Sequence, residues 1–341
     1  MLKIGEREMT AKEIAGLAIL GLVVVTLLWY MLGNKPKPKI GTPGQGLVLM
    51  QGGQPGAGPG QFAYPRGIAV DSQGDFYVAD SRNNRIQKFR GTDWQYLTEF
   101  GGLFDEAKSA NGDVKKLTTE ALGKMHEPNG VAIGPDDNVY VIDTWNGRVE
   151  VFNSKGRIKF AYTTDDGFFG PREIVVDPNG VSYVADTGKH RIVKFDKNGK
   201  KVMAWGSKGD KEGQMNEPIG LALDQAGNVY VADRLNFRIQ VFSPEGQFVR
   251  QWKIKGWSSE QIDMEPHLAM DQSRGLLYAS DGRGKKVYCY KLDGTLVSTL
   301  ETNTTGAPLF MVPIGVAVDK DGSLYVVDAG AGKILKLRGQ N

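Results

Sequence analysis

A unit of about 47 residues recurs six times between residue 62 and the end of the 341-residue chain. Each unit opens with a proline and a short apolar run, and the opening prolines are Pro65, Pro128, Pro171, Pro218, Pro266 and Pro313. Repetition at such a period is typical of folds assembled from equivalent supersecondary units. Any fold for this chain must therefore give all six units the same structure.

Within each unit, four short runs rich in β-branched and aromatic residues are separated by turn pairs such as Asn179–Gly180 and Asp321–Gly322. Runs and turns of this kind are typical of strands joined by hairpins. Four antiparallel strands in a repeat of about 47 residues make one propeller blade. The sequence therefore predicts an all-β, six-bladed β-propeller over residues 47–341.

A charged pair recurs in every unit. An aspartate closes the second strand, and a cation follows five residues later, after the tight loop that leads to the third strand. We expect the carboxylate to cap turn amides or to pair with the cation, as a structural feature of each blade. The pairs are Asp80 and Arg85, Asp143 and Arg148, Asp186 and Arg191, Asp233 and Arg238, Asp281 and Lys286, and Asp328 and Lys333.

Counting strands predicts how the ring closes. The sixth unit ends after its third strand, Ile334–Leu337, whereas an apolar run at residues 47–51 precedes the first unit and has no partner there. Joining the two would leave no open sheet edge. We therefore expect residues 47–51 to form the fourth strand of the last blade.

The motifs Pro65–Asp71 and Tyr77–Phe89, with their five copies, resemble those of the NHL repeat family. The resemblance covers residues 47–341, and it implies a six-bladed propeller in a membrane-anchored, bacterial-type member. The family includes sensor, scaffold, RNA-binding and lyase proteins, so the resemblance alone does not identify the function.

Residues 14–32 carry no charge, and as a helix they would span about 28 Å, close to the thickness of the bilayer hydrocarbon. We predict an N-terminal tail (1–13), a transmembrane anchor (14–32) and a tether rich in Pro, Gly and Lys (33–46). A cleaved signal peptide is the main alternative, but the segment before the apolar run holds three acids. Positive charges are nearly balanced on the two flanks. Because such an anchor usually exports the domain that follows, we expect an exocytoplasmic propeller.

Charge and composition exclude several classes of function. The first 40 residues hold six Lys or Arg and three acids, which leaves 36 residues of each sign in residues 41–341. A neutral body makes nucleic acid an unlikely partner. Single-stranded RNA that stacks on Trp145 and Phe237 stays an alternative, with positive charge supplied by Arg66, Arg82, Arg172, Arg283 and Lys285. The single cysteine, Cys289, excludes a disulfide framework.

One face of the propeller, the top face, should carry the loops between second and third strands and the connections between blades. We predict that it binds a protein, peptide or glycan without catalysis. The long connection at residues 101–127 has apolar residues at helical spacing, which predicts a short helix on or beside this face: Val114, Leu117, Ala121, Leu122 and Met125. The candidate contact residues are Arg66, Trp145, Arg172, Leu235, Phe237, His267 and Arg283.

Two metal-dependent alternatives follow from the resemblance. Amidating lyases of this family place zinc-binding histidines directly after several blade prolines, but here only His267 stands at such a position. Lactonase-like propellers hold calcium in the channel, and only Glu173 and Asn129 are candidate ligands. Zinc catalysis needs three converging protein ligands. We therefore expect no cofactor, with calcium as the alternative.

Overall fold

Six four-stranded antiparallel sheets follow one another in the computed structural model of the protein, which describes residues 3–4, 7–8, 47–103, 122–257, 265–303 and 305–340. Blade 1 consists of strands Ile68–Val70, Phe76–Asp80, Arg85–Phe89 and Tyr96–Gly101. Blade 2 consists of Pro128–Ile133, Val139–Asp143, Arg148–Phe152 and Ile158–Tyr162. Blade 3 consists of Ile174–Val176, Ser182–Asp186, Arg191–Phe195 and Lys201–Trp205.

The remaining blades repeat this order. Blade 4 consists of Pro218–Leu223, Val229–Asp233, Arg238–Phe242 and Phe248–Lys253. Blade 5 consists of Leu268–Asp271, Leu276–Asp281, Lys286–Lys291 and Leu296–Leu300. Blade 6 consists of Pro313–Val318, Leu324–Asp328, Lys333–Leu337 and Val48–Gly52. Single 3₁₀ turns lie at Ser81–Asn83, Pro135–Asp137, Thr187–Lys189 and Arg234–Asn236, and a short parallel pair joins Gln54–Pro55 to Gln61–Phe62. The predicted six-bladed propeller is confirmed.

The last blade takes its fourth strand from the start of the propeller. Val48–Gly52 pairs antiparallel with Lys333–Leu337, with Gly52 opposite Ile334. The strand begins and ends one residue later than the sequence predicts. Leu47 and Val48 pack against the core between blades 5 and 6, and Met50 packs against the core between blades 6 and 1. The segment therefore contributes apolar contacts to both neighbouring blade interfaces as well as backbone hydrogen bonds.

The first strands of all six blades line a central cavity of about 240 Å³. The second residue after the opening proline is glycine in four blades, because a Cβ there would overlap the backbone of the next blade. Gly67 lies against the Asn129 carbonyl in this way, and Gly315 lies against the Arg66 carbonyl. Blade 3 has Glu173 at the equivalent position, and blade 5 has Leu268. These two substitutions break the symmetry of the channel.

The N-terminal unit of the chain contains a two-stranded antiparallel hairpin of Lys3–Ile4 and Arg7–Glu8, within the predicted tail (1–13). Within the part of the chain that the structure describes, no helix is long and apolar enough to cross a membrane. The predicted anchor (14–32) and tether (33–46) lie outside the described residues, and so does most of the helix predicted in the 101–127 connection. Of that helix's apolar residues, Leu122 and Met125 are described: Leu122 lies half-buried in a turn, and Met125 is buried between blades 1 and 2.

Candidate functional site

The loops between second and third strands lie on the same face as the segments that lead into each blade. In blades 1, 4 and 6 this shows as backbone hydrogen bonds: Arg82 N to Ala63 O (3.1 Å), Leu235 N to Asn216 O (3.0 Å) and Ala329 N to Val312 O (2.9 Å). Because strands alternate in direction, the loops between first and second strands lie on the opposite face, which we call the bottom face. On the top face, backbone hydrogen bonds therefore join these loops to the incoming segments around the mouth of the channel.

Four of the six recurrent charged pairs are ion pairs in the structure. The arginine Nε lies 2.7–2.9 Å from the aspartate Oδ2 in Asp80–Arg85, Asp143–Arg148, Asp186–Arg191 and Asp233–Arg238. The same aspartates accept a backbone N–H from the segment leading into the blade, as from Ala63 N to Asp80 (2.7 Å). The Nη atoms of Arg85, Arg148 and Arg238 reach carbonyls of that segment, as from Arg238 to Gln214 O (2.8 Å). Those of Arg191 reach the Asp166 carboxylate in the same segment. Each pair therefore fastens the loop, the third strand and the incoming connection together.

In blades 5 and 6 the aspartate takes the other expected role, that of a cap. Lys286 pairs with Glu301 at 3.4 Å, while Asp281 accepts the Gly284 N–H at 2.7 Å. Asp328 accepts the N–H groups of Met311 and Val312, each at 2.8 Å, and Lys333 is exposed. Arginine donates to the aspartate through Nε and to the incoming connection through its Nη atoms. Lysine has a single nitrogen, Nζ, and cannot reach both partners in this way. In these blades the aspartate acts as a cap.

A polar pocket of about 520 Å³, which we call the mouth pocket, opens on the top face. Its lining residues are Tyr64, Arg66, Arg82, Arg172, Thr187, Glu217, Ile219, Arg234 and Glu265. They come from the segments leading into blades 1, 3, 4 and 5 and from the loops between second and third strands of blades 1, 3 and 4. Four guanidinium groups thus share one small space with two carboxylates.

Glu265 joins two of these arginines across the mouth. Its Oε2 lies 2.8 Å from Arg66 Nε, and its Oε1 lies 3.3 Å from Arg172 Nη1. Burial alone would raise the pKa of Glu265, but the charges of Arg66 and Arg172 outweigh burial and hold the pKa below its usual value. Burial lowers the pKa of Arg172, and the nearby charges of Arg66 and Arg234 lower it further, against the effect of Glu265. Glu265 is therefore ionised at neutral pH.

Aromatic side chains support the arginines at the rim. The Arg66 and Arg82 guanidinium carbons lie 5.0 and 4.7 Å from the ring centre of Tyr64. The Arg172 guanidinium carbon lies 5.9 Å from the ring centre of Trp145, which is 53% exposed. Cation–π contacts restrict the arginines without using their N–H donors. The mouth pocket therefore presents oriented positive groups with donors still available.

Three residues that directly precede blade prolines have a left-handed backbone: Tyr64 (φ 51°), Glu127 (φ 48°) and Glu217 (φ 53°). In blade 3 this position is Gly170 (φ 58°). Non-glycine residues occupy this region at a cost of about 1–2 kcal/mol. The strained backbone brings the three side chains to the arginines: Tyr64 under Arg66 and Arg82, Glu127 near Arg66 (3.5 Å), and Glu217 against Arg234. Strain of this kind is often retained at functional sites.

Below the mouth, the channel holds a buried acid–base pair. Glu173, at the position that is glycine in four blades, contacts His267 Nδ1. His267 is 2% exposed, and its Nε2 has no hydrogen-bond partner among the described residues; neither amide atom of the buried Asn129 has one either. The Glu173 carboxylate also accepts the N–H of Ile174 at 3.0 Å. Among the described residues no group of three His, Cys, Asp or Glu could hold a metal ion.

The structure brings together some of the candidate contact residues and separates others. Arg66 and Arg172 line the mouth pocket, and Trp145 lies at its rim. His267 is buried in the channel rather than on the face, and Arg283 is exposed on a loop of blade 5 outside the pocket. Leu235 and Phe237 are half-buried rather than exposed, and Phe237 packs against the core between blades 4 and 5.

Sequence reasoning missed several lining residues of the mouth pocket. Tyr64, Glu217 and Glu265 each stand directly before a blade proline, and Arg234 follows the aspartate that closes a second strand. Both positions are defined by the repeat, so comparing them across the six units reveals a concentration of charged and aromatic residues. The residues directly before the prolines were not compared in the sequence analysis, and three of the missed lining residues stand there.

A larger cavity lies on the bottom face, a groove of about 990 Å³ between blades 2, 3 and 4. Its walls are turns that include Pro135, Pro178 and Pro244, and its lysine, Lys194, donates to the carbonyl of Pro244 at 2.8 Å. The groove is larger than the mouth pocket, and its charged lining residues are four aspartates and one lysine. Three of the aspartates, Asp137, Asp177 and Asp224, accept backbone N–H groups of turns. The described lining of the groove therefore holds no set of converging cations like that of the mouth pocket.

Comparison with known proteins agrees with the fold. Six closed four-stranded blades define a six-bladed β-propeller, and residues 62–89, 125–152 and 215–242 match the NHL repeat. The chain thus contains NHL repeats. It is 28% identical over 158 residues to Protein brain tumor of Drosophila melanogaster, covering 45% of this chain and 13% of that protein.

Two further proteins are similar. A probable peptidyl-alpha-hydroxyglycine alpha-amidating lyase of Caenorhabditis elegans, pgal-1, is 29% identical over 167 residues, covering 49% of this chain and 43% of that protein. The chain thus spans less than half the length of either curated relative. A gluconolactonase structure from Xanthomonas campestris has a TM-score of 0.59 at 13% identity, covering 90% of this chain and 96% of that chain. At that identity the likeness concerns the fold alone.

Proposed function

We propose that the protein is a binding propeller that holds a protein or peptide ligand on its top face. The observation that carries this proposal is the pairing of arginine with aromatic side chains around an open pocket: Tyr64 with Arg66 and Arg82, and Trp145 with Arg172. Tyrosine, tryptophan and arginine are the residues that most often dominate the energy of protein interfaces. Variable loops on a rigid ring suit such recognition.

Selection of peptide ligands tests this proposal. The full chain in detergent is panned against a random peptide library, and bound peptides are remeasured with Trp145→Ala and with Lys155→Ala, an exposed residue in a bottom-face turn of blade 2. We expect Trp145→Ala to weaken binding by about tenfold, since such anchors contribute about 1–2 kcal/mol or more. Lys155→Ala should leave binding unchanged. Peptides that bind both variants equally, or a library that yields no binder, would contradict the proposal.

We propose further that residues 14–32 anchor the protein in a membrane with the propeller on the exocytoplasmic side. The uncharged length of the segment supports the anchor. Extraction of membranes at alkaline pH should leave the protein in the pellet, and protease added to intact cells should digest the propeller. Release at alkaline pH would contradict the anchor, and protection from protease would contradict the orientation.

Catalysis in the channel is a second candidate, favoured by the Glu173–His267 pair. A carboxylate on Nδ1 fixes the imidazole tautomer and leaves Nε2 to accept a proton. Two of the similar proteins are named as a lyase and a lactonase. Turnover of a lactone or of a peptidyl-α-hydroxyglycine by the full chain, lost in His267→Ala, would support this candidate. Equal rates in the two proteins would contradict it.

A further inference from the structure

We propose that the mouth pocket is an anion site that recognises clustered carboxylates, so that the ligand of the top face is an acidic peptide segment. This inference rests on the proposed binding function and specifies the chemistry of its ligand. It concerns the four arginines of the pocket, which are Arg66, Arg82, Arg172 and Arg234.

The arginines approach each other at an electrostatic cost that the acids of the described residues only partly offset. Three of the four contact glutamates: Arg66 contacts Glu265 and Glu127, Arg172 shares Glu265, and Arg234 contacts Glu217. Arg82 contacts no carboxylate among the described residues, and its guanidinium rests on the Tyr64 ring. Among the described residues, three carboxylates thus face four guanidinium groups, which gives this part of the top face an excess positive charge in a partly buried space.

Glu265 shows how a carboxylate is held there. One of its oxygens faces Arg66 and the other faces Arg172, at 2.8 and 3.3 Å. Each guanidinium carries five N–H donors, and each of these arginines uses only one or two of them on carboxylates of the described residues. A second carboxylate can therefore bind beside Glu265 through donors that the first does not occupy.

The size and surroundings of the pocket favour a peptide over a nucleic acid. Its volume of about 520 Å³ accommodates a few side chains. Residues 41–341 carry equal numbers of acids and bases, so the propeller adds no net positive charge to the pocket's attraction for a phosphate backbone. Arginine binds carboxylates and phosphates alike in a two-pronged geometry. The size of the pocket and the neutral charge of the propeller therefore decide in favour of a peptide.

Titration with three matched oligomers tests the inference. Calorimetry on the full chain in detergent uses hexaglutamate, hexaglutamine and a six-nucleotide uridine RNA. We expect hexaglutamate to bind, hexaglutamine not to bind, and the RNA to bind more weakly than hexaglutamate. Arg82→Gln should weaken hexaglutamate binding about tenfold or more, because it removes a charge-assisted hydrogen bond without disturbing an internal ion pair. Glu217→Gln should strengthen binding several-fold.

The control is Arg157→Gln, which makes the same charge change at an exposed bottom-face turn and should leave the affinity unchanged. Thermal melting of each variant confirms that it folds. Equal binding of hexaglutamate and hexaglutamine, tighter binding of the RNA, or equal affinity in Arg82→Gln and Arg157→Gln would overturn the inference. Library peptides that need Trp145 but are neutral would overturn the acidic ligand while leaving the binding function in place.

Discussion

One loop position has a left-handed backbone in every blade. It is the residue before the third strand, with φ between 54° and 60°, occupied by Asn84, Gly147, His190, Phe237, Lys285 and Gly332. Glycine and asparagine accept this conformation readily, whereas the other three residues carry strain. The repeat therefore determines the backbone conformation at this position, and the residue type in each blade determines how much conformational strain it carries.

Alanine at the two glycines separates backbone strain from steric overlap. At Gly147 an added Cβ meets only the Phe168 carbonyl, at 3.4 Å, so Gly147→Ala should cost about 1 kcal/mol. At Gly332 the Cβ would lie 2.9 Å from the Pro55 nitrogen, so Gly332→Ala should cost about 1–2 kcal/mol more. Urea unfolding of the full chain measures both. Equal losses of unfolding free energy would contradict the structure of this loop.

The buried aspartates predict an unusual dependence of stability on pH. Burial raises the pKa of Asp143 to about 6, although Arg148 opposes the rise. Burial also raises the pKa of Asp80, Asp186 and Asp233. A folded-state pKa above the unfolded value means that the folded protein binds protons first as pH falls. Its stability should therefore increase as pH falls from 7 towards 5 and decrease as pH rises through about 6.

The titration of His190 changes stability with pH in the direction opposite to that of the aspartates. His190 is therefore substituted before the effect of the aspartates is measured. Burial, with the charge of Lys208, lowers the pKa of His190, so its contribution to stability is lost as pH falls. Its Nδ1 accepts the Glu217 N–H, and Asn84 makes the equivalent bond to Glu127 in blade 1. His190→Asn should therefore fold normally. The melting temperature of this variant should rise by a few degrees between pH 7 and pH 5; a fall over that interval would contradict the raised pKa values.

Residue identity alone predicted the charged pairs but only part of the site. The spacing of Asp233 and Arg238 follows from the hairpin, so their contact could be expected. The Glu173–His267 contact crosses the channel between blades 3 and 5, and no local pattern encodes that distance. The same holds for Glu265, which reaches Arg66 from nearly 200 positions away. Only the closed ring brings these residues together.

At the level of elements, alternation of apolar residues and turn pairs predicted the strands well, because each blade has the same two-residue periodicity and the same hairpins. The closing strand was predicted one residue early. Its bounds depend on pairing with Lys333–Leu337 at the far end of the chain, and the pairing register shifts between Lys336 and Leu337. Local sequence does not contain that information.

Deletion of the closing strand tests its contribution. Removing residues 47–52 exposes the edge of Lys333–Leu337 and the apolar surface that Val48 and Met50 cover. We expect the melting temperature of the propeller to fall by about 10 °C or more, or the protein to aggregate. Deleting six residues of the predicted tether, 36–41, is the matched control and should leave melting unchanged. Equal melting of the two deletions would contradict ring closure by this strand.

For the whole molecule, the positions where the six blades differ are more informative than those where they agree. The shared residues build the ring: glycines against neighbouring blades, aspartates under the loops and apolar strands between sheets. The differing residues gather on one side, as Tyr64, Glu217 and Glu265 before the prolines, with Glu173 and His267 below them. The top face is therefore where a ligand should be sought.

Hydrogen exchange of the full chain with and without saturating hexaglutamate tests most directly whether this face binds the ligand. Amide exchange should slow in residues 63–66 and 144–147 at the mouth and should be unchanged in residues 134–138 and 224–228, which form turns along the bottom-face groove. Slower exchange in the bottom-face turns, with none at the mouth, would contradict a top-face site.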